Sequence, residues 1–298
     1  MKREMPNNYF DEFIDNALKE DIGDGDHTSR ACIPAKATGK AQLLIKEEGI
    51  LAGVDVSVRL FKKLDPAIKI ELFRQDGDKV APPDIAFVVE GKVLALLKAE
   101  RLVLNIMQRM SGIATTTHRY ASLLNGLKTK ILDTRKTTPG MRLLEKSAVK
   151  IGGGENHRFG LFDMILIKDN HVDFAGGIPN AISRVREYLG RTGKDLRIEI
   201  EARSLDDVVT ILEIGGIHRI MLDNFSLDET RKAVELIGER YEIESSGGIT
   251  LKNLRAYAEC GVDYISVGAL THHIKSLDLS LKALNYKTDE FGPAHTYL

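Results

Sequence analysis

The chain has no tryptophan and only two cysteines among its 298 residues, Cys32 and Cys260. They stand too far apart for a CxxC or Cys/His cluster, which excludes a disulfide scaffold and a thiolate zinc site and points to reduced thiols in a cytosol. No run of 18 apolar residues occurs, so a membrane-spanning helix is not expected. The N-terminal Met1-Lys2-Arg3-Glu4-Met5-Pro6 leads into the amphipathic Tyr9-Phe10-Asp11-Glu12-Phe13-Ile14 rather than an apolar h-region, which argues against a secretory signal. A charge surplus is also missing: 42 Lys and Arg against 43 Asp and Glu leave a formal charge of -1, and with it no global attraction to nucleic acid or a membrane surface. Any anion site has to be local.

What is present is an ordinary globular composition, 43% hydrophobic and 29% charged, in a chain long enough for one large domain and a smaller one. From about Thr115 short β-branched runs alternate with helical patterns, the signature of a parallel β/α architecture. Six strands are expected, at 130–133, 163–168, 197–201, 219–223, 241–245 and 264–267. Between them lie amphipathic helices at 205–214 and 227–239, opened by the N-caps Ser204 and Ser226. The spacings Glu201 to Asp223, Asp223 to Ser246 and Ser246 to Gly268 are 22, 23 and 22 residues, a regularity that favours a barrel over an open sheet. The expected fold is therefore α/β: an incomplete, TIM-like β/α barrel of six or seven parallel strands over 115–274, joined to an N-terminal α+β open-faced sandwich over 1–114. In the latter, strands are expected at 41–45, 68–73 and 85–90, followed by a long helix at 94–110. The alternating segment Leu277-Asp278-Leu279-Ser280-Leu281 reads as a strand, so 275–298 is expected to return to the first domain.

The ends of the barrel strands carry the chemistry. Asp133, Lys168, Glu201, Asp223, Ser246 and Gly268 each follow an apolar run and precede a loop, which is where β/α barrels assemble their sites. The stretch 133–168 gathers seven Lys and Arg residues against four acids. Its first loop, Thr134-Arg135-Lys136-Thr137-Thr138-Pro139-Gly140, offers a planar fork suited to carboxylate beside a compact charge suited to phosphate. Gly152-Gly153-Gly154 lacks the spacing of a Walker or dinucleotide loop, but His157 and Arg158 follow it directly. Lys168 fits either a Schiff-base amine, as in a phosphosugar aldolase, or an electrostatic anchor for a dianion. Glu201 and Asp223, on successive strands, suit a Mg²⁺-chelated pyrophosphate or positive charge developing on a ribose ring. Ser246-Gly247-Gly248 and Ser266-Val267-Gly268 end the last strands in small residues whose N–H groups can meet phosphate.

Taken in order, Asp133-Thr134-Arg135-Lys136-Thr137-Thr138-Pro139-Gly140, Gly153-Gly154-Glu155-Asn156-His157-Arg158, Ile167-Lys168-Asp169-Asn170-His171, Ser246-Gly247-Gly248-Ile249 and Val267-Gly268-Ala269-Leu270 resemble the quinolinate phosphoribosyltransferase family. Upstream, Glu100-Arg101, Leu104-Asn105 and Ser111-Gly112-Ile113-Ala114 extend the likeness over most of the chain. The resemblance implies a homodimer, with hexameric assembly open, in which Arg101 enters the neighbouring subunit's site. It implies that Arg135, Lys136, His157, Arg158 and Lys168, with Thr134, bind quinolinate and adjacent phosphates. Glu201 and Asp223 would serve a Mg²⁺-bound phosphoribosyl pyrophosphate, directly or through water, and act catalytically with Lys136. Ser246, Gly247, Gly248, Ser266, Val267 and Gly268 would hold the 5′-phosphate. A related molybdenum-transport-associated family shares part of this pattern; an aldolase using Lys168 and a non-catalytic anion-binding protein are the other readings.

Overall fold

The computed structural model describes residues 9–284 and divides into two compact units. Residues up to Thr115, 143–152 and those from Ile274 form the first; 116–142 and 153–273 form the second. Strands Thr38–Ile45 (β1), Gly49–Ile50 (β2), Lys69–Leu72 (β3), Lys79–Val80 (β4) and Ile85–Lys92 (β5) come first. Lys130–Leu132 (β6), Ile165–Ile167 (β7), Ile198–Ala202 (β8), Arg219–Asp223 (β9), Glu242–Ser246 (β10) and Tyr264–Ser266 (β11) follow, and Leu279–Leu284 (β12) returns to the first unit.

In the first unit β12, β1, β5 and β3 form an antiparallel sheet in that order. Along β1 the buried positions are Ala41, Leu43 and Ile45, so one face meets the core and the other does not. Helix Val54–Leu64 meets that core, its Phe61 ring edge-on to Phe87 of β5 at 6.0 Å between centroids, and Leu60 together with Val103, Met107 and Met110 of helix Val93–Ser122 is buried. The expected helix at 94–110 continues for twelve more residues, and the small polar side chains of that extension bond outside the helix. Ser111 Oγ accepts the Ala52 N–H at 2.9 Å and Thr115 Oγ1 that of Ile50 at 2.9 Å, so neither competes with its own helix backbone. The two-residue pair β2 and β4 was too short to leave a period in the sequence. The segment at 277–281 does carry a strand, shifted to 279–284 and paired with β1; residues 285–298 lie outside the described residues.

The second unit is a six-stranded, all-parallel sheet in the order β6-β11-β10-β9-β8-β7. Beyond β6 a single parallel bridge joins Leu132 to Glu155, and β7 closes the other end, an incomplete barrel. Helices at 205–214 and 227–237 begin where the sequence placed them: Ser204 accepts the Asp207 N–H, and Ser226 forms a reciprocal box with Glu229. Pairing register sets the interior. Glu199 lies opposite Arg219 and Glu201 opposite Met221, while Asp223 lies opposite Ser246 and Glu244 opposite Met221. Side chains two apart share a face, so Glu199 and Glu201, Met221 and Asp223, and Glu244 and Ser246 stack as layers rising to the strands' C-terminal ends.

Candidate active site

A cavity of about 610 Å³ opens at that end, and every residue lining it belongs to the second unit. Thr134, Arg135, Lys136, His157, Arg158, Lys168, Glu201, Asp223, Ser246, Gly247, Gly248, Ser266 and Gly268 all line it. Val267 is buried and does not line it, and Arg101 is exposed in the first unit, on helix 93–122.

Two loops present the cations. Lys136 follows Thr134, whose hydroxyl accepts the Lys136 N–H at 3.0 Å, while Thr271 donates to the Lys136 carbonyl at 2.8 Å. Arg142 then clasps this loop to the next, donating to Thr137 Oγ1 at 3.0 Å and to the Phe159 carbonyl at 3.1 Å. In the second loop the buried Asp133 carboxylate accepts the His157 N–H at 2.9 Å and the Asn156 amide at 2.5 Å. Asp163 takes the N–H groups of Phe159 and Gly160 at 2.7 and 2.8 Å. Burial, and next the charge of Arg135, weigh against the charged form of Arg158. Two guanidiniums held in mutual repulsion, one of them partly desolvated, form a ready receptor for an anion.

The carboxylates stand across from them. Glu201 is 7% exposed and pairs with the Lys168 ammonium, while its second oxygen accepts the Asp169 N–H at 3.2 Å. Lys168 also caps helix Asp169–Ala175, its own N–H donating to His171 Nδ1 at 2.9 Å. An ammonium engaged by a carboxylate in this way suits an electrostatic anchor better than an amine nucleophile. Burial and then the charge of Glu201 raise the Asp223 carboxyl above its ordinary range. Asn224, in the left-handed region at φ 57°, donates its amide to Asp223 Oδ2 at 2.9 Å. Gly247, at φ 92°, gives that amide room: a Cβ there would lie 2.1 Å from Asn224 Oδ1. This is one glycine that the site geometry demands.

Sequence reasoning passed over several residues of the same cavity: Glu244, Asn224, Thr250 and His272. Glu244 lies two positions before Ser246 on one strand face, a signal that was there to be used. Beneath the rim Glu199, Glu244 and Arg219 continue inward, where barrel interiors ordinarily hold branched aliphatics. Burial pushes the Glu199 and Glu244 carboxyls up to about 7, in Glu244 with help from the Glu199 charge. Arg219 donates to Glu244 Oε2 at 3.0 Å and to Glu242 Oε2 at 3.0 Å, with its guanidinium over the Tyr264 ring.

Profiles of known families match the chain twice: the quinolinate phosphoribosyl transferase N-terminal domain over residues 26–111, and the C-terminal domain of the same family over 113–282. A protein of Nicotiana tabacum named quinolinate phosphoribosyltransferase [decarboxylating] 1b is 45% identical over 284 residues, covering 90% of this chain and 81% of its own. The chloroplastic nicotinate-nucleotide pyrophosphorylase [carboxylating] of Arabidopsis thaliana is 46% identical, covering 89% of this chain and 80% of its own. Among solved structures, NadC from Streptococcus pyogenes superposes with a TM-score of 0.89 at 37% identity, over 96% of this chain and all of that one.

Proposed function

The chain belongs to the quinolinate phosphoribosyltransferase family, and on that premise we propose that it joins quinolinate to 5-phosphoribosyl 1-pyrophosphate, giving nicotinate mononucleotide, pyrophosphate and carbon dioxide. One observation carries the reading: Arg135, Lys136, Arg158 and Lys168 surround a single cavity that Glu201 and Asp223 also line. Cations in that number match a doubly acidic aromatic together with a polyphosphate, and carboxylates match a sugar that becomes positive at C1.

Loss of pyrophosphate from C1 of the ribose leaves an oxocarbenium-like centre, and preorganised carboxylates stabilise it without forming a covalent bond. Asp223 and Glu201 take that role, and Lys136 balances the charge on the departing pyrophosphate. The quinolinate nitrogen attacks C1, the resulting pyridinium stabilises the electron pair left on the adjacent ring carbon when its carboxylate departs as carbon dioxide, and that carbon takes a proton from water to give nicotinate mononucleotide. Arg135 and Arg158 hold the two carboxylates, an arrangement that penalises nicotinate, which would leave one cation without a partner. Amides of Gly247, Gly248 and Gly268 receive the 5′-phosphate.

The donor set fits Mg²⁺: two oxygen-bearing groups at neighbouring strand ends, one of them raised in pKa partly by the other's charge. Asp223 would hold the ion directly or through water, and Glu201 would follow on parting from Lys168. When bound, the ion neutralises charge on the pyrophosphate. Arg101, exposed on the first unit, reaches the site of a second subunit in a homodimer. Two free thiols, Cys32 and Cys260, support a reducing compartment such as the cytosol.

The test supplies quinolinate, nicotinate and nicotinamide in turn with phosphoribosyl pyrophosphate and Mg²⁺. Only quinolinate is expected to yield equal amounts of pyrophosphate and carbon dioxide. Absence of turnover, or substrate trapped on Lys168 by borohydride, overturns the reading.

A further inference from the structure

His157 lines the cavity, yet both of its ring nitrogens are turned into the protein. Nδ1 accepts the backbone N–H of Arg158 at 2.7 Å. Nε2 lies 3.1 Å from Glu199 Oε2 and 3.5 Å from Glu244 Oε2. A neutral imidazole that accepts at Nδ1 carries its proton on Nε2, and two carboxylate oxygens are the surroundings that favour a proton there. Arg219 completes the group. Its NH1 is 3.0 Å from Glu244 Oε2 and 3.8 Å from Glu199 Oε2, so a fixed cation holds in place the same two oxygens that the imidazole approaches.

The same three residues meet the distance requirement for a metal, since one ligand atom from each of His157, Glu199 and Glu244 lies within 4.8 Å of the others. Arg219 argues against that occupant. Its guanidinium already neutralises the oxygens a dication would use, and the two positive charges would share one desolvated chamber. The chain of contacts runs instead outward, from Arg219 through the acid pair and the imidazole to the backbone of a cavity-lining arginine.

We propose that Glu199, Glu244 and Arg219 are positioning residues: they fix His157 as its Nε2–H tautomer, so that Nδ1 anchors the Arg158 backbone and sets its guanidinium at the cavity wall. The consequence for substrate rests on the reading that Arg158 meets a carboxylate of quinolinate. On that reading the group acts on the pyridine half of the reaction and leaves the sugar half alone, because Glu201 and Asp223 are held by Lys168 and Asn224 instead.

The experiment has two arms on the full chain. Ring ¹⁵N spectra of the uniformly labelled protein at neutral pH, with the His157 resonances identified by their loss in His157→Asn, report the tautomer. An unprotonated Nδ1 and a protonated Nε2 are expected, and a protonated Nδ1 overturns the proposal with no reference to activity. Glu199→Gln and Glu244→Gln can turn an amide N–H₂ toward Nε2 and drive the proton to Nδ1. These variants are expected to raise KM for quinolinate about tenfold while KM for phosphoribosyl pyrophosphate changes less than about twofold. Equal changes in both constants, or none, overturn it. Should either glutamine variant fail to fold, the wild-type spectrum decides by itself. A wild-type protein without turnover would sink the reading of function, whereas the positioning claim would still stand or fall on which ring nitrogen carries the proton.

Discussion

Replacing Gly247 with alanine tests the site at its tightest point. The residue sits at φ 92°, and an added Cβ would meet Asn224 at Oδ1 2.1 Å, Cγ 2.6 Å and backbone N 3.0 Å. Holding an L-residue in left-handed backbone costs about 1 kcal/mol. Overlap with a neighbour that cannot retreat adds about 1–3 kcal/mol. Asn224 cannot retreat freely, since its own N–H is bonded to the Ser246 carbonyl at 2.9 Å and its amide to Asp223. Gly193 provides the control: at φ 63° it shares the backbone cost, but among the described residues nothing lies within 4 Å of its Cβ position. For a unit of this size the Gly193→Ala variant should melt about 3 °C below wild type and Gly247→Ala about 6–12 °C below. Turnover should separate them further, because displacing Asn224 frees Asp223 Oδ2. Loss of one preorganised contact at a charge-developing centre predicts at least a tenfold fall in kcat for Gly247→Ala alone. Differential scanning calorimetry with steady-state assays of both variants measures this. Equal melting temperatures, or full turnover in Gly247→Ala, would refute the argument that this glycine makes room for the asparagine.

Four further outcomes are expected. Arg135→Ala should lower kcat/KM for quinolinate about a hundredfold, the equivalent of ~3 kcal/mol for a charged hydrogen bond; unchanged kinetics would remove Arg135 from the site. If Arg101 serves a neighbouring subunit, mixing inactive Arg101→Ala and Arg135→Ala proteins under subunit exchange should restore about a quarter of wild-type activity, since half the dimers then carry one intact site of two; no recovery would place Arg101 in its own subunit or outside the site. Glu199 and Glu244 have native pKa values raised above those of the unfolded chain, so their contribution is fully present below the ordinary carboxyl range and is lost as pH rises toward about 7. The stability of wild type relative to Glu244→Gln, by urea unfolding, should therefore shrink from pH 5 to pH 8, and a difference independent of pH would contradict it. Lys168→Met should leave the buried Glu201 carboxylate without its cation and lower kcat/KM at least tenfold in steady-state assays; unchanged kinetics would show that the pair has no part in turnover.

Much of the fold was legible because its signals are local. Ser204 and Ser226 each precede an acid-rich first turn, and the spacing of Glu201, Asp223, Ser246 and Gly268 follows the length of one β/α unit. The rim was legible for a related reason: a charge that breaks an apolar run marks the strand's end whatever lies around it. The interior layer was not. Glu199, Arg219 and Glu244 alternate with Ile200, Ile220 and Ile243, and such alternation reads equally as a solvated face; only the register of three strands turns those charges toward one another. His157 shows the limit at the scale of single atoms. Its place in the chain brings it to the cavity, but the direction of its nitrogens depends on Glu199 and Glu244, more than 40 residues farther along.

β12 has a bearing on how the molecule is made. It pairs with β1 from Lys40–Leu284 to Ile45–Leu279, so the first unit's sheet draws on both ends of the described chain, with the whole barrel encoded in between. A ribosome therefore releases the second unit's strands before it can deliver the segment that covers β1. Until then β1 presents an open edge along its length, the kind of template on which nascent chains recruit one another. The unit that begins first is thus the last to finish, and a polypeptide stopped short of Leu279 would carry all six parallel strands of the second unit but a first-unit sheet primed to aggregate.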